Sequence, residues 1–340
     1  MPTEFRSLQD VWEQLPTEDD ARRFLEAVIW GETPICPHCR AEGAWAVRGR
    51  TARTGLYQCR SCRRQFTITT KTPMHATKLD LRIWVAAMFL VLTSSKGISS
   101  VVLARLLGVS QQTAWKMGHA IRELMDARDA WAADKLDGIV EVDEAFVGGK
   151  PKRRKGVKRK RGKGTGKPQI LVAVQRDGQA RAATIENGTA KTIGAKVREW
   201  VDPSATLMTD SLSVYPSIGR GFAQHHAVNH SQRQFANKAT GAHINTAEAF
   251  AGQVERALVG VYHILPPEHL DRYLAEIAWR WHRRQPASQL FNTFRKSGRR
   301  NRNWKPVQVL EQMTELVRNA PGRQMRRVPR TGGLSWPERK

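Results

Sequence analysis

Apolar residues recur along the chain with two different periods, and the change of period divides the sequence. In the first part the spacing is helical over residues 1–30 and 79–130, with interruptions at Gly97 and Gly108. Thr17 is placed to cap the first of these helices. Between the helical regions lie short strand-like pieces. The first part of the chain therefore predicts helices around a small strand-containing segment.

Strand-like segments dominate from Gly138 onward. They read GIVEVDEAFVGG, QILVAVQ and QARAATIEN, and an Asp-Gly step between the last two is a strong hairpin signal. A helical segment over 189–201 precedes another short strand, ATLMTDS, and further helices are expected over 245–259 and 267–284. This order predicts an α/β fold with a mixed sheet flanked by helices, as in ribonuclease H-like proteins.

The charge balance indicates the partner. The chain has 56 Lys and Arg against 31 Asp and Glu, a formal net charge of +25, which attracts a large polyanion such as nucleic acid. The most apolar stretch, Leu81–Leu92, is too short to cross a bilayer, so no membrane partner is expected. The first residues lack the pattern of a secretory signal, and the clustered cysteines indicate a reducing cytoplasm.

Four cysteines form two closely spaced pairs. Cys36-Pro-His-Cys39 and Cys59-Arg-Ser-Cys62 are separated by nineteen residues, a spacing typical of a tetrahedral zinc site. Two such pairs leave no open coordination position, so the Zn²⁺ is predicted to be structural. His38 is expected at the surface. Redox pairing of the thiols is the alternative interpretation.

The segment GISSVVLARLLGVSQQTAWKMGHAIREL predicts a helix-turn-helix, with its turn at Gly108 and a second helix capped by Ser110. The expected packed positions are Val102, Leu103, Leu106, Val109, Ala114 and Met117 or Ile121. The residues expected to face a DNA major groove are Gln111, Gln112, Thr113 and Lys116. A helical hairpin without DNA contacts is the alternative, and the net charge favours DNA binding.

Two aspartates interrupt or end predicted strands. Asp143 lies in VEVDEAF and Asp210 ends LMTD, and neither apolar run contains a Lys or Arg that could compensate a buried carboxylate. A divalent cation is the economical partner. The neighbouring Glu141 and Glu144 are expected to be exposed or to lie behind the metal ligands. Taken singly, each acid could be an ordinary surface residue.

A third acid is expected from a helix beside these strands. In HINTAEAFAGQVERALVG the helical steps place Asn245, Glu248, Gly252 and Glu255 near one face. Glu248 is the preferred third ligand because it brings a charge, and Asn245 is the second candidate. Phosphodiester chemistry with two metal ions needs such oxygen ligands for Mg²⁺ or Mn²⁺.

Two basic segments are predicted to be disordered. One is the insert over 150–167, which includes Lys152, Arg153, Arg154 and Lys155, and the other is the tail over 320–340. Both are expected to neutralise DNA phosphates without reading sequence. For the insert, a solubilising arm is the alternative interpretation.

Three blocks resemble a known family. VEVDEAFVGG, LMTDSLSVYPSIG and HINTAEAFAGQVERALVGVYHILPPEHLDRYLAEIAWRWHRR are similar to the insertion-sequence transposases of the insertion sequence 1595 type, which carry an amino-terminal zinc ribbon. The resemblance spans about residues 15–290. It implies a ribonuclease H-like core, two divalent metals and recognition of terminal inverted repeats. It places the three catalytic acids of the family on Asp143, Asp210 and Glu248.

The chain departs from the family pattern at two positions of the third block. Ala251 stands where relatives often have an aromatic residue, and Glu255 stands where they have a basic one. Arg256 is expected to supply the missing cation at the DNA. Some relatives use Asn as the third ligand, which keeps Asn245 as an alternative to Glu248.

The sequence thus predicts a DNA transposase with strand cleavage and strand transfer activity. Its partners would be double-stranded DNA, as inverted repeats and target, and further copies of the chain in a dimer or larger complex. A bacterial, cytoplasmic and nucleoid-associated protein is implied. The alternatives are an inactive DNA-binding regulator and a metal-dependent nuclease. The expected boundaries are 1–33 for the N-terminal helix, 34–72 for the ribbon, 78–130 for the helix-turn-helix region and 137–290 for the catalytic domain.

Overall fold

The computed structural model describes residues 2–50, 52–127, 133–149, 166–176, 178–229, 232, 234–238, 240–283, 308–327 and 334–335. The chain forms two compact units. Both ends of the chain, Met1–Met125 and Trp304–Lys340, form the first unit, and Asp126–Asn303 form the second.

The first unit begins with two helices where the sequence predicts one, α1 (Leu8–Gln14) and α2 (Glu18–Trp30). Pro16 lies between them and lacks the amide hydrogen that a continuous helix would use. Each helix starts with its own capping box, formed by Ser7 for α1 and by Thr17 for α2. The predicted cap at Thr17 is present, and the first cap was missed.

A small antiparallel sheet follows, with β1 (Ala44–Ala46), β2 (Tyr57–Cys59) and β3 (Gln65–Phe66) in that order. The last residue of α2, Trp30, packs edge-on against Tyr57 and Phe66, with ring centroids 5.3 and 5.6 Å apart. This aromatic cluster joins the sheet to α2 and gives the short strands a core.

The remaining helices of this unit are α3 (Leu81–Thr93), α4 (Ser100–Leu107), α5 (Gln111–Leu124) and α10 (Val309–Arg318). Nine of the thirteen residues of α3 are buried, because α3 packs against α1, α2, α4, α5 and α10. It is the central helix of the unit.

The packing of α4 differs from the sequence prediction. Val102 and Leu106, predicted to be packed, are 44% and 53% exposed, whereas Leu103, also predicted, and Ala104, which was not predicted, are buried. Neighbouring positions on a helix point about 100° apart, so a small rotation of this short helix decides which residues are buried. The buried side of α4 contains Leu103 and Ala104.

The predicted disordered tail also contains structure. Ala320 and Met325 are buried, and β9 (Arg326–Arg327) pairs antiparallel with β10 (Leu334–Ser335). The prediction of disorder followed from the basic composition of the tail and did not anticipate that these two apolar residues are buried. Apart from Gly166 and Lys167, the basic insert lies outside the described residues.

The second unit is built on a five-stranded sheet. Its strands are β4 (Ile139–Phe146), β5 (Gln169–Gln175), β6 (Ala180–Ile185), β7 (Thr206–Asp210) and β8 (Gln224–Val228), in the order β6-β5-β4-β7-β8. The pairs β4–β5 and β5–β6 are antiparallel, while β4–β7 and β7–β8 are parallel. The predicted mixed sheet is therefore confirmed. The edge strand β8 was not predicted.

Helices cover both faces of this sheet. The helices α6 (Ala190–Trp200) and α7 (Tyr215–Gly219) share one core with Val140 and Val142 of β4. The helices α8 (Asn245–Ala257) and α9 (Leu270–His282) share another core, which includes Val147. Since side chains alternate along a strand, the odd-numbered residues of β4 face α8. Within the described residues, no helix has both the length and the apolarity needed to span a bilayer.

Candidate metal and nucleic-acid sites

The four cysteines gather into one cluster. Their sulfur atoms all lie within 4.8 Å of one another, and the Sγ–Sγ distances Cys36–Cys62 and Cys39–Cys59 are both 3.6 Å. A disulfide would require about 2.05 Å. A tetrahedron with metal–sulfur bonds of about 2.3 Å has edges of about 3.8 Å. The cluster therefore fits a zinc ion held by four thiolates.

Backbone amides in the two turns donate hydrogen bonds to two of the cysteine sulfur atoms. The amide of Cys62 donates to Cys59 Sγ at 3.4 Å, and the amide of His38 donates to Cys36 Sγ at 3.4 Å. The hydrogen bond from Cys62 is the main reason that the pKa of Cys59 is lowered to about 6. Burial raises the pKa of Cys36 to about 12. His38 is outside the cluster, with Nε2 3.4 Å from the carbonyl of Gln65.

The outer surface of the ribbon carries an aromatic ring between cations. Trp45 on β1 is 43% exposed, and the guanidinium carbons of Arg60 and Arg63 lie 5.7 and 4.9 Å from its ring centroid. Arg60 lies between the two cysteines of the second pair and Arg63 directly follows that pair, so metal binding would fix the backbone of both arginines. This group was not predicted from the sequence. Exposed aromatic rings beside arginines are common where proteins stack on the bases of single-stranded nucleic acid.

Asp143 and Asp210 lie on neighbouring parallel strands. In the register of β4 with β7, Val140 pairs with Leu207 and Glu141 pairs with Met208. The same register places Asp143 level with Asp210 at the end of β7. Residues at the same level of adjacent strands share a face, and this is the face covered by α8. The fold thus brings together two acids that are far apart in sequence.

The third acid lies close enough for its charge to act on Asp143. Glu248 is in the first turn of α8 and is exposed, as is Asn245 at the start of the helix. The pKa of Asp143 is raised to about 7, mainly by burial; the amide of Glu144 opposes the rise, and the charges of Glu144, Asp210 and Glu248 add to it. The three acids therefore lie near enough to interact electrostatically.

No basic side chain in the described part of the chain pairs with Asp143 or Asp210. Asp143 accepts the amide of Glu144 at 2.8 Å, and Asp210 accepts the amide of Leu212 at 2.9 Å. The donor set is carboxylate oxygen, which Mg²⁺ and Mn²⁺ prefer. Unlike the cysteine sulfurs, the oxygens of the three acids do not all lie within 4.8 Å of one another. The residues fit divalent cations in an open site.

The two glutamates beside Asp143 point to opposite faces. Glu141 is fully buried and accepts the backbone amides of Thr246 and Ala247 at the start of α8. It is therefore not an exposed residue. Glu144 accepts a hydrogen bond from the hydroxyl of Tyr215 on α7. Period-two alternation puts Glu141 on the same face as Asp143, a signal in the sequence that could have identified its role.

Helix α5 presents its predicted DNA-facing residues in different ways. Gln112 and Lys116 are exposed, whereas Gln111 Nε2 donates to Ser100 Oγ at 2.8 Å and Thr113 Oγ1 lies 2.8 Å from Ser110 Oγ. All four line a cleft of ≈ 660 Å³ whose other wall includes Pro73 and residues 75–79. The lining includes His75 and Lys78 and no acidic residue.

Arg256 is exposed in the last turn of α8 and reaches back to Gly252. A Cβ on Gly252 would lie 3.3 Å from Arg256 Nη1. The predicted contacts Lys152, Arg153, Arg154 and Lys155 lie outside the described residues.

The four-cysteine ribbon of the first unit and the mixed sheet of the second are two separate modules, and each of them matches a known protein domain. Residues 135–282 match the ISXO2-like transposase domain, and residues 16–65 match the transposase zinc-ribbon domain. Together these matches span more than half of the chain. The chain belongs to the family of transposases of the IS1595 type.

A relative from another mobile element is consistent with this family. The chain is 26% identical over 261 residues to an uncharacterized protein in transposable element ISH50 of Halobacterium salinarum, which covers 71% of this chain and 83% of that protein. It is 13% identical to a chain in the crystal structure of the Mos1 strand transfer complex, with a TM-score of 0.21, over 58% of this chain and 76% of that chain. A TM-score this low establishes no common fold.

Proposed function

We propose that this protein cuts and joins DNA at the terminal inverted repeats of an insertion sequence, at a site formed by Asp143, Asp210 and Glu248. The observation that carries the proposal is the level pairing of Asp143 and Asp210 on parallel strands, with Glu248 near enough to raise the pKa of Asp143. The mixed sheet, with strand order β6-β5-β4-β7-β8, supports a ribonuclease H-like domain, for which we propose the boundaries 137–290.

The three acids have distinct tasks in this proposal. Asp143 and Asp210, fixed by their strands, would hold two Mg²⁺ or Mn²⁺ ions, and Glu248 or Asn245 would complete the ligand set from α8. Such a pair of ions, when bound, activates the attacking oxygen and stabilises the leaving oxygen of a phosphodiester. Water would be the first nucleophile and the freed 3'-hydroxyl the second. Arg256 would contact DNA near the reacting phosphate.

DNA binding is proposed for the first unit. Gln111, Gln112, Thr113 and Lys116 on α5 would read base edges as part of a helix-turn-helix over residues 78–130. The ribbon, with zinc bound by its four cysteines, would contribute further DNA contacts through Arg60 and Arg63 beside Trp45. The basic insert and tail would contact phosphates. Since transposition joins two DNA ends, we expect the working protein to be a dimer or a larger complex. Because it would act on chromosomal DNA, we expect it in the bacterial cytoplasm, at the nucleoid.

The test uses DNA that carries the inverted repeats flanking the encoding gene. Wild-type protein with Mg²⁺ should cut these ends, and it should join a pre-cut end to target DNA. Asp143→Asn and Asp210→Asn should lose both reactions, while Glu186→Gln, an exposed acid of the same unit, should retain them. Cleavage that survives Asp143→Asn would disprove the acid assignment.

Two rival functions predict other results in the same assay. An inactive DNA-binding regulator would bind the repeats without cutting them. A nuclease would cut but would not join a pre-cut end.

A further inference from the structure

Glu141 is a buried carboxylate that the proposed chemistry does not use. Its Oε2 accepts the backbone amides of Thr246 and Ala247 at 2.7 and 3.1 Å. Its Oε1 accepts Nε of Arg176 at 2.6 Å and the hydroxyl of Thr246 at 3.1 Å, and it lies 3.1 Å from Nδ1 of His243. A fully buried acid with this many donors is fixed in place.

The donors belong to the start of α8. Thr246 and Ala247 are its second and third residues, whose amides have no acceptor inside the helix. Ile244, the residue before the helix, provides no side-chain cap. Glu141 therefore caps α8 from a different element, and its negative charge suits the positive end of the helix dipole.

The same contacts connect two of the proposed metal ligands. Glu141 precedes Asp143 by two residues on β4, so both side chains lie on one face of the sheet. Glu248 directly follows Ala247 in the first turn of α8. We propose that Glu141 is a positioning residue that sets the separation of Asp143 and Glu248 before any metal binds. This inference rests on the proposed function, because it assumes that these acids bind the catalytic ions.

Mutual repulsion explains why such a support is needed. The charges of Asp210 and Glu248 act on Asp143, where they add to the rise of its pKa that burial causes. Arg176 extends the support, because its Nη2 donates to the carbonyls of Gly241 and His243 at 3.3 and 3.2 Å. The loop before α8 and the first turn of α8 are thus held to the sheet by the ion pair between buried Glu141 and partly buried Arg176.

The test replaces the charge with a neutral group of the same size. In Glu141→Gln, the concentration of Mn²⁺ for half-maximal end cleavage should rise at least 10-fold, while the rate at saturating Mn²⁺ should fall much less. In the metal-free protein, the amides of Thr246 and Ala247 should exchange hydrogen at least 10-fold faster. Glu186→Gln is the matched control and should match wild type in both measurements.

The outcomes separate this inference from the proposed function. If wild-type protein shows no metal-dependent cleavage, the proposed function fails, and hydrogen exchange still reports on the cap. Faster exchange with an unchanged Mn²⁺ requirement would reduce Glu141 to a structural cap and overturn the positioning role. Unchanged exchange would overturn the cap itself.

A milder variant covers the case in which Glu141→Gln does not fold. Thr246→Val removes only the hydroxyl donor and should raise the Mn²⁺ requirement 2- to 3-fold, in the same direction. Wild-type behaviour of Thr246→Val combined with wild-type behaviour of Arg176→Lys would overturn the inference.

Discussion

The cysteine cluster and the acid cluster differ in how completely their ligands surround an ion. The four cysteines come from two turns within one short segment, and Cys36 and Cys59 are fully buried. The acids come from two strands and a helix, and range from half-buried Asp143 and Asp210 to exposed Glu248. One cluster has four closely spaced ligands, and the other leaves room for further ligands.

This difference is the one expected between a structural zinc site and the reactive site that we propose for the acids. A tetrahedral ion with four protein ligands has no position left for a substrate, so its binding energy stabilises the fold. An acid cluster that is open to solvent can accept phosphate and water oxygens beside the protein ligands. The open site must be held in shape by other groups, such as Glu141, because its own charges repel.

Loss of a ribbon ligand should produce the largest effect. Cys59→Ser should abolish stoichiometric zinc and unfold residues 36–66, because structural zinc contributes about 10 kcal/mol or more in small zinc domains. Zinc content and hydrogen exchange across the ribbon measure this. Ser61→Ala, at an exposed position inside the same turn, is the control and should keep both. A protected ribbon in the zinc-free variant would contradict a structural metal.

Local patterns predicted the cysteine site, and only part of the acid site. The cysteine spacing carries its geometry within the sequence, whereas the level pairing of Asp143 and Asp210 depends on strand register, which the fold determines. The cap by Glu141 joins residues 105 positions apart and has no local signature beyond strand alternation.

The missed elements have physical reasons as well. Strand β8, with the sequence QHHAV, is a polar edge strand and lacks the apolar run that revealed β5. The single helix predicted at the N-terminus is two helices because Pro16 interrupts it. The tail was predicted from charge alone, which does not register the buried Ala320 and Met325.

Substitutions of Glu248 and Asn245 distinguish these two candidates for the third metal ligand. Glu248→Gln should lower the rate of end cleavage at least about 100-fold, roughly 2.7 kcal/mol of activation free energy, because it removes a charged ligand. Asn245→Ala should change the rate less than about 3-fold. Single-turnover cleavage at saturating Mg²⁺ measures both. The reverse ranking would assign the third ligand to Asn245.

The acid cluster should also make metal-free stability depend on pH. Since the pKa of folded Asp143 is raised to about 7, its carboxyl favours folding below its unfolded pKa of 3.8, and this contribution is lost as pH rises to 7. Metal-free Asp143→Asn should therefore unfold at a higher temperature than wild type at pH 8, by about 1 to 2 kcal/mol in stability after allowance for partial exposure. The difference should vanish near pH 4. Calorimetry in a chelating buffer measures it, and equal pH profiles for both proteins would exclude a raised pKa of Asp143.

The smallest predicted effect concerns the outer surface of the ribbon. If its closed metal site supports a DNA contact, Arg63→Ala should weaken binding to inverted-repeat DNA by about 1 kcal/mol and reduce the salt slope of the binding constant by about 1. The control is Arg23→Ala, an arginine of α2 whose side chain is 70% exposed and pairs with Asp19. Titrations of labelled DNA at several salt concentrations would compare the variants. Equal losses in both would mean that only net positive charge matters, whereas a loss confined to Arg63 would make the ribbon a DNA-contacting module as well as a folded support.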